Sequence, residues 1–241
     1  MGTSRPRVRI EAGLQALSTT TPAYRVYGRR KGRPLRVRKG ALVKELLPKL
    51  KIDVVEGKVI EPSKLFSFKP KEIWLEIGFG GGEHLAAQAE RNPTIGFIGC
   101  EPFLNGVASA LDHIEKNAVQ NVRIFPDNAR QLLLSLPDKS IARCFILFAD
   151  PWPKARHAER RFVGPANIPL LARVLKAGAE LRLATDDPQL KEWMTEHMDA
   201  AKDFERSSYG INPPADWVQT RYEQKALKAG REPLYMTYRR K

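Results

Sequence analysis

Several short apolar runs in this chain end on, or contain near their ends, an acidic residue. Glu76 lies in LEIGFGGG, Glu101 follows TIGFIGC, Asp127 and Asn128 follow NVRIFP, Asp150 follows CFILFA, and Asp186 follows LRLAT. A carboxylate at such a place accepts hydrogen bonds from hydroxyls and amines and stabilises developing positive charge. Gly78, Gly80, Gly81 and Gly82 leave a turn without side chains, so the backbone can approach a ligand closely. A pyrophosphate-binding G-x-G-x-x-G counted from Gly78 needs glycine where Glu83 stands. With Glu76 also close in sequence, the turn is expected to take a ligand that lacks phosphate and carries positive charge. This disfavours a nicotinamide-dependent oxidoreductase.

The stretch FADPWPKARHAERR, residues 148–161, leaves an apolar run on Asp150 and enters a turn stiffened by Pro151 and Pro153. Trp152 in that turn can pack beneath the loop or stack on a base. Lys154, Arg156, His157, Arg160 and Arg161 follow, and they are expected to line the rim of the site. A polyanion docked there would deliver one base to Asp150.

These residues need a scaffold, and the hydrophobic pattern supplies one. IWLEIG, TIGFIGCE, NVRIFP, IARCFILFAD and ELRLATDD read as buried strands. EHLAAQAER, LNGVASALDHIEKN, ARQLLLSL, IPLLARVLKAG and PQLKEWMTEHMDA read as helices, with Val107, Ala108, Leu111 and Ile114 on one inner face and Gly178 closing the fourth helix. FERSSYG and PLYMTYRRK read as two late strands joined by a long polar loop. Alternating strands and helices predict an α/β fold with a doubly wound, mostly parallel seven-stranded sheet and an antiparallel C-terminal edge. Residues 1–40 are expected to form a flexible basic arm, 41–70 a helix and linker, and 71–241 the α/β domain. Leu42, Val43, Leu46, Leu47 and Leu50 share a helical face, which Pro48 is expected to end.

The order E-x-G-x-G-x-G resembles the first motif of class I S-adenosylmethionine-dependent methyltransferases, with a Rossmann-like fold. That cofactor has an ammonium, a sulfonium and no phosphate. FADPWPKARHAERR resembles the (F)PDPWPKxRHxKRR motif of the bacterial tRNA (guanine-N7)-methyltransferase family, and the likeness continues through EIGFGGG, ATDD and TRYEQKALKAG. It covers roughly Lys71 to the C-terminus, with Ala149 and Glu159 as departures. The resemblance implies transfer of methyl from S-adenosylmethionine to N7 of guanine 46 in the tRNA variable loop. It implies cofactor contacts from Glu76, Glu101, Asp127 and Asp150; the glycine turn adds Gly78 and Gly80, the end of the third strand adds Asn128 toward the adenine edge, and Asp150, with Asp186 beside it, is the expected catalytic carboxylate at a strand end. It implies substrate contacts from Lys154, Asp186 and Thr220, Arg221, Tyr222 and Glu223, with RNA contact along Arg156 to Arg161. The order D-P-W-P departs from the D/N-P-P-Y/F/W of amine-directed methyltransferases, and the intact acids argue against a purely RNA-binding module.

Composition agrees with a nucleic-acid partner. The net charge of +14 attracts polyanions, and Arg25 to Lys39 is dense in arginine and lysine. Cys100 and Cys144 sit in apolar runs and read as buried thiols of a reducing, cytoplasmic compartment. His84, His113, His157 and His197 lack metal-ligand spacing, so no metal is expected. No apolar run approaches the roughly 18 residues that span a bilayer. Monomer and homodimer both remain open.

Overall fold

The computed structural model describes residues 7–8 and 27–241. Strands β1 (Arg7–Val8) and β2 (Leu35–Arg36) pair antiparallel, and helices α1 (Val37–Glu45) and α2 (Leu47–Leu50) follow. The α/β body then runs β3 (Ile73–Ile77), α3 (Glu83–Arg91), β4 (Gly96–Cys100), α4 (Leu104–Lys116), β5 (Val122–Phe125) and α5 (Ala129–Ser135). It continues with β6 (Ile141–Leu147), α6 (Ile168–Val174), β7 (Leu175–Thr185), α7 (Pro188–Asp199), β8 (Phe204–Gly210), α8 (Arg221–Lys228) and β9 (Leu234–Arg240).

The seven-stranded sheet has the order β5-β4-β3-β6-β7-β9-β8. β3 to β7 pair in parallel, and β9 runs antiparallel to both β7 and β8. This is the doubly wound sheet with an antiparallel edge that the pattern predicts. Alternate residues of the strands feed two cores. Leu75, Ile77, Ile98 and Cys100 face one, Trp74, Phe97, Phe145 and Leu147 the other. Both faces are covered near β3 and β4, so these strands read as continuous apolar runs. Val107, Ala108, Leu111 and Ile114 pack α4 onto the second core.

The winding reverses between β3 and β6. From β3 the chain steps outward to β4 and β5, then crosses back to place β6 on the other side of β3. Connections diverge at the carboxyl ends of those two strands and leave a crevice there. The glycine turn follows β3 and the Asp150 loop follows β6, so one topological reversal brings both to the same place.

Four local expectations are corrected. The expected arm–helix break at residue 40 falls inside α1, which begins at Val37 and is tied to α4 by Arg38 on Asp112 and Glu115 and by Lys39 on Ser109. Residues 1–6 and 9–26 of the expected arm lie outside the described residues. Pro48 does not end the helix but stands in the first turn of a second one, where its missing N–H is no loss. The expected linker is built into the body: Ile52, Val54 and Phe66 join the core, and the Ile52 N–H bonds the Ile124 carbonyl at the sheet edge. Finally, α6 stops at Val174, because Leu175 is already laddered to Ile141. Gly178, at φ 78°, sits in the bulge between that pair and Arg143–Glu180 rather than capping the helix.

Gly82, the N-cap of α3, holds φ 79°, and a methyl group there would overlap Ala110 of α4, with the Ala110 Cα at 2.7 Å. Gly82→Ala is expected to lower the unfolding free energy by roughly 2–4 kcal/mol, combining left-handed strain with a clash against backbone. Gly57→Ala, at φ 77° with nothing within 4 Å of the new methyl, isolates the strain. It should cost about 1–2 kcal/mol. Urea unfolding of both variants separates the two, and equal losses would contradict the packing argument.

Candidate active site

A cavity of about 680 Å³ opens at the crevice, with Gly80, Glu101, Asn128, Asp150, Trp152 and Tyr222 on its walls. The volume lies in the roughly 300–1,000 Å³ range of ligand pockets. Gly78 and Gly80 take φ 75° and 56°, which a side chain would oppose. A methyl on Gly106, near the start of α4, would collide with the Gly80 carbonyl, so helix and turn touch backbone to backbone. The Glu83 carboxylate folds back against Gly81, where a methyl would lie 2.5 and 2.6 Å from its oxygens. The helix N-terminus that could have held a phosphate therefore already faces an anion of its own chain.

Glu101 ties this turn to β4. One carboxylate oxygen accepts the Gly80 N–H at 2.9 Å and the other the Phe103 N–H at 2.9 Å. Burial pushes its pKa up to about 7, against the pull of those two donors, and the nearby Asp150 and Glu76 charges add to the rise. Each oxygen keeps a lone pair for a further donor. Among the described residues neither Glu101 nor Asp150 lies within ion-pair distance of a cation.

Other sequence-predicted acids are committed elsewhere. Glu76 is buried under the turn, 2.8 Å from His84 Nδ1, and does not line the cavity. Asp127 holds the Arg30 guanidinium at 2.8 Å and accepts the Asn128 N–H, while Asn128 caps α5 and lines the wall. Asp186 pairs with Arg231 at 2.6 Å, away from the lining residues. The TRYE segment starts a helix, where the sequence suggested a loop. Thr220 and Glu223 form its capping box, and Glu223 also accepts Trp217 Nε1 and the Tyr235 hydroxyl, each at 2.7 Å. That frame presents Arg221 and Tyr222 to the cavity. Burial raises the Tyr222 pKa, and Glu101 and Asp150 raise it further.

Trp152, also in the lining, holds φ 43°. The Arg160 guanidinium lies 5.2 Å from its ring centroid and 5.0 Å from that of Tyr27. Lys154 and Arg156 are exposed beside the mouth, and the His157 ring stands edge-on to Trp152 at 6.0 Å. Arg161 turns inward, is 9 % exposed, and bonds the Pro151 and Trp152 carbonyls. The arrangement can bind a positively charged ligand on its acidic wall and an anion on its rim.

Sequence reasoning did not place Tyr27, Gly28 and Arg29 on the cavity wall, nor Phe162 and Asn167. The basic GRRKGRPL run was a signal for the first group. Asn167 carried none, because it comes to the wall only through the fold.

Glu101 gives a pH signature. Below about pH 4.5 folded and unfolded chains both hold its proton. Between there and about pH 7 only the folded chain retains it, so rising pH favours unfolding, and above pH 7 the effect is complete. Unfolding free energies across this window are expected to fall by on the order of 2–3 kcal/mol more in the wild type than in Glu101→Gln. Parallel slopes in urea titrations would remove the assignment.

The family model described as "Putative methyltransferase" matches residues 70–236. A tRNA (guanine-N(7)-)-methyltransferase of Paramagnetospirillum magneticum is 50 % identical over 90 % of this chain and 93 % of its own. One from Rhodospirillum rubrum is 47 % identical, over 92 % and 89 % respectively. Among solved structures, the 16S rRNA methyltransferase KamB superposes with a TM-score of 0.52 at 16 % identity, over 78 % of this chain and 99 % of that one. TrmN from Thermus thermophilus gives 0.53 at 13 %, over 84 % and 48 %. The two structures share the fold; the sequence identities and the family model carry more, and with them the chain belongs to the tRNA (guanine-N7)-methyltransferase family.

Proposed function

We infer that the cavity holds S-adenosylmethionine and that the chain, acting in the cytoplasm, transfers its methyl group to N7 of guanine 46 in the tRNA variable loop. The observation that carries this reading is the pairing of an acidic, phosphate-averse wall with a cationic lip at one crevice. The residues present fit the cofactor. The glycine turn leaves the space a side chain would take, and Glu101 has lone pairs to receive two ribose hydroxyls. The Asn128 side chain lines the wall where an adenine edge would lie, and Glu83 removes the place for a diphosphate. When bound, the cofactor supplies an electrophilic methyl on sulfonium.

Guanine N7 carries an in-plane lone pair and no proton, so the transfer needs no general base. The chain contributes position, holding N7 about 3 Å from the methyl carbon and in line with the leaving sulfur. Asp150 is the carboxylate at the junction of the cofactor wall and the lip. It is suited to accept the guanine N1–H and N2–H₂ and to stabilise the positive charge the purine acquires. Asp186, held by Arg231 and off the cavity wall, has a weaker claim to that role. Lys154, Arg156, His157 and Arg160 supply donors for RNA phosphates at the mouth. Among the described residues no helix is long and apolar enough to cross a membrane.

Incubation of the protein with tRNA transcripts and S-adenosylmethionine should yield 7-methylguanosine by mass spectrometry, and a transcript lacking guanine at position 46 should yield none. Asp150→Ala should slow single-turnover transfer by roughly 10²–10³-fold, the size of losing one charge-stabilising group. Methylation of an exocyclic amine, or an Asp150→Ala rate near wild type, would refute the reading. Arg156→Ala should reduce the slope of log affinity against log salt by about 0.7–0.9. An unchanged slope would remove Arg156 from the phosphate contacts.

A further inference from the structure

Trp152 is a non-glycine residue in the left-handed region, at φ 43°, immediately after the Asp150–Pro151 step. Such a conformation persists only where the surroundings over-determine it. Arg160, His157 and Tyr27 pack on the Trp152 ring, and Arg161 holds the backbone of the turn. Its Nε donates to the Pro151 carbonyl at 3.0 Å and a terminal nitrogen to the Trp152 carbonyl at 3.3 Å. Among the described residues no carboxylate lies within ion-pair distance of Arg161, although it is 9 % exposed. A buried cation without an anion requires carbonyls or a π face to replace water. The π face is Trp193 on α7, with the Arg161 guanidinium 4.9 Å from its ring centroid.

Trp193 is itself well fixed. Its indole N–H donates to the Val163 carbonyl at 2.7 Å, and His197 stacks on it at 3.9 Å. His197 Nδ1 meets the Trp193 carbonyl at 2.8 Å. Gly164 packs against the ring so closely that a methyl there would lie 3.3 Å from it. The far end of the same loop is tied by Asn167, which donates to the Phe162 carbonyl. Trp193 therefore touches both the side chain that braces the turn and the backbone just beyond it, and lies outside the cavity lining.

We propose that Trp193 is a positioning residue of the site: it holds Arg161, and Arg161 holds the Asp150–Trp152 turn at the edge of the cavity. The consequence for methyl transfer rests on the functional reading above; the anchoring itself does not. A merely structural tryptophan would affect folding. A positioning one affects the loop and the rate while leaving the glycine turn and Glu101 in place, because no contact in the chain from Trp193 to Trp152 involves either.

The experiment uses full-length Trp193→Leu, Trp193→Phe, Arg161→Leu and the Trp193→Leu/Arg161→Leu double variant, at a temperature where all are folded by circular dichroism. Trp193→Phe keeps one aromatic ring for the guanidinium and loses the N–H and the second ring, a milder change that serves even if Trp193→Leu does not fold. Limited trypsin digestion with mass mapping of cuts after Lys154 and Arg156 reads the loop, as both residues are exposed. Cleavage should accelerate about fivefold or more in the leucine variants, as expected when a local opening becomes easier. Trp193→Phe should fall between them and wild type. Single-turnover transfer at saturating tRNA should slow by roughly tenfold or more, while the calorimetric Kd for S-adenosylmethionine stays within about twofold. The double variant should be no slower than the slower single one. Unchanged cleavage would overturn the anchor, and so would cofactor affinity falling with the rate or losses that multiply in the double variant. A wild-type protein that methylates no tRNA would sink the functional reading, yet the digestion would still decide the anchor.

Discussion

One buried carboxylate organises the crevice of this molecule. Glu101 ends β4 with a backbone N–H on each oxygen, one from the glycine turn after β3 and one from the start of α4. The turn can reach it only because Gly78, Gly80 and Gly82 accept positive φ. α4 can approach only because Gly106 has no side chain to meet the Gly80 carbonyl. Burial disfavours the charge and the two donors restore part of it, which leaves a group whose pKa lies near 7. Two more hydrogen bonds from a ligand would tip that balance toward the carboxylate, so binding and ionisation are coupled by construction.

The net charge of +14 hides an opposite local charge. Acids near the crevice but off its wall are paired with the chain's own cations, as with Asp186 on Arg231 and Asp127 on Arg30. Glu101 and Asp150 are not, among the described residues, and the Glu83 carboxylate lies against the turn itself. The surplus of arginine and lysine is left for the surface. A polyanion is drawn to the outside while a cationic ligand is favoured within, and the boundary between the two fields runs along the Asp150 loop. Arg161, drawn inward to brace that loop, is the exception among its cations.

The sequence was most legible where chemistry and secondary structure coincide. Acids at strand ends and glycines between strand and helix cannot be moved without losing the crevice, so the strands and the sheet class were readable, and with them which strand ends the crevice would join. Residue roles were less so. Glu76 and Glu101 look alike in sequence, yet one is spent on His84 and the other faces the cavity. Thr220, Arg221, Tyr222 and Glu223 are consecutive, but a capping box turns the outer two into struts and the middle two toward the site. Gly178 and Pro48 were misread because glycine and proline mark several kinds of boundary, and the ladder partner or the next helix decides which.

Periodicity and residue type by themselves determined the alternation of β and α, a glycine turn hostile to phosphate and a cationic loop after an acid. These are local properties, since side-chain volume, charge and backbone freedom act within a few residues. Only the tertiary structure decided which acids keep open lone pairs, that residues near Tyr27 close one wall, and that Trp193 reaches Arg161 across 32 positions of chain. Such contacts depend on where separate elements meet and on which polar groups find partners when water is excluded, and neither is written in any one segment.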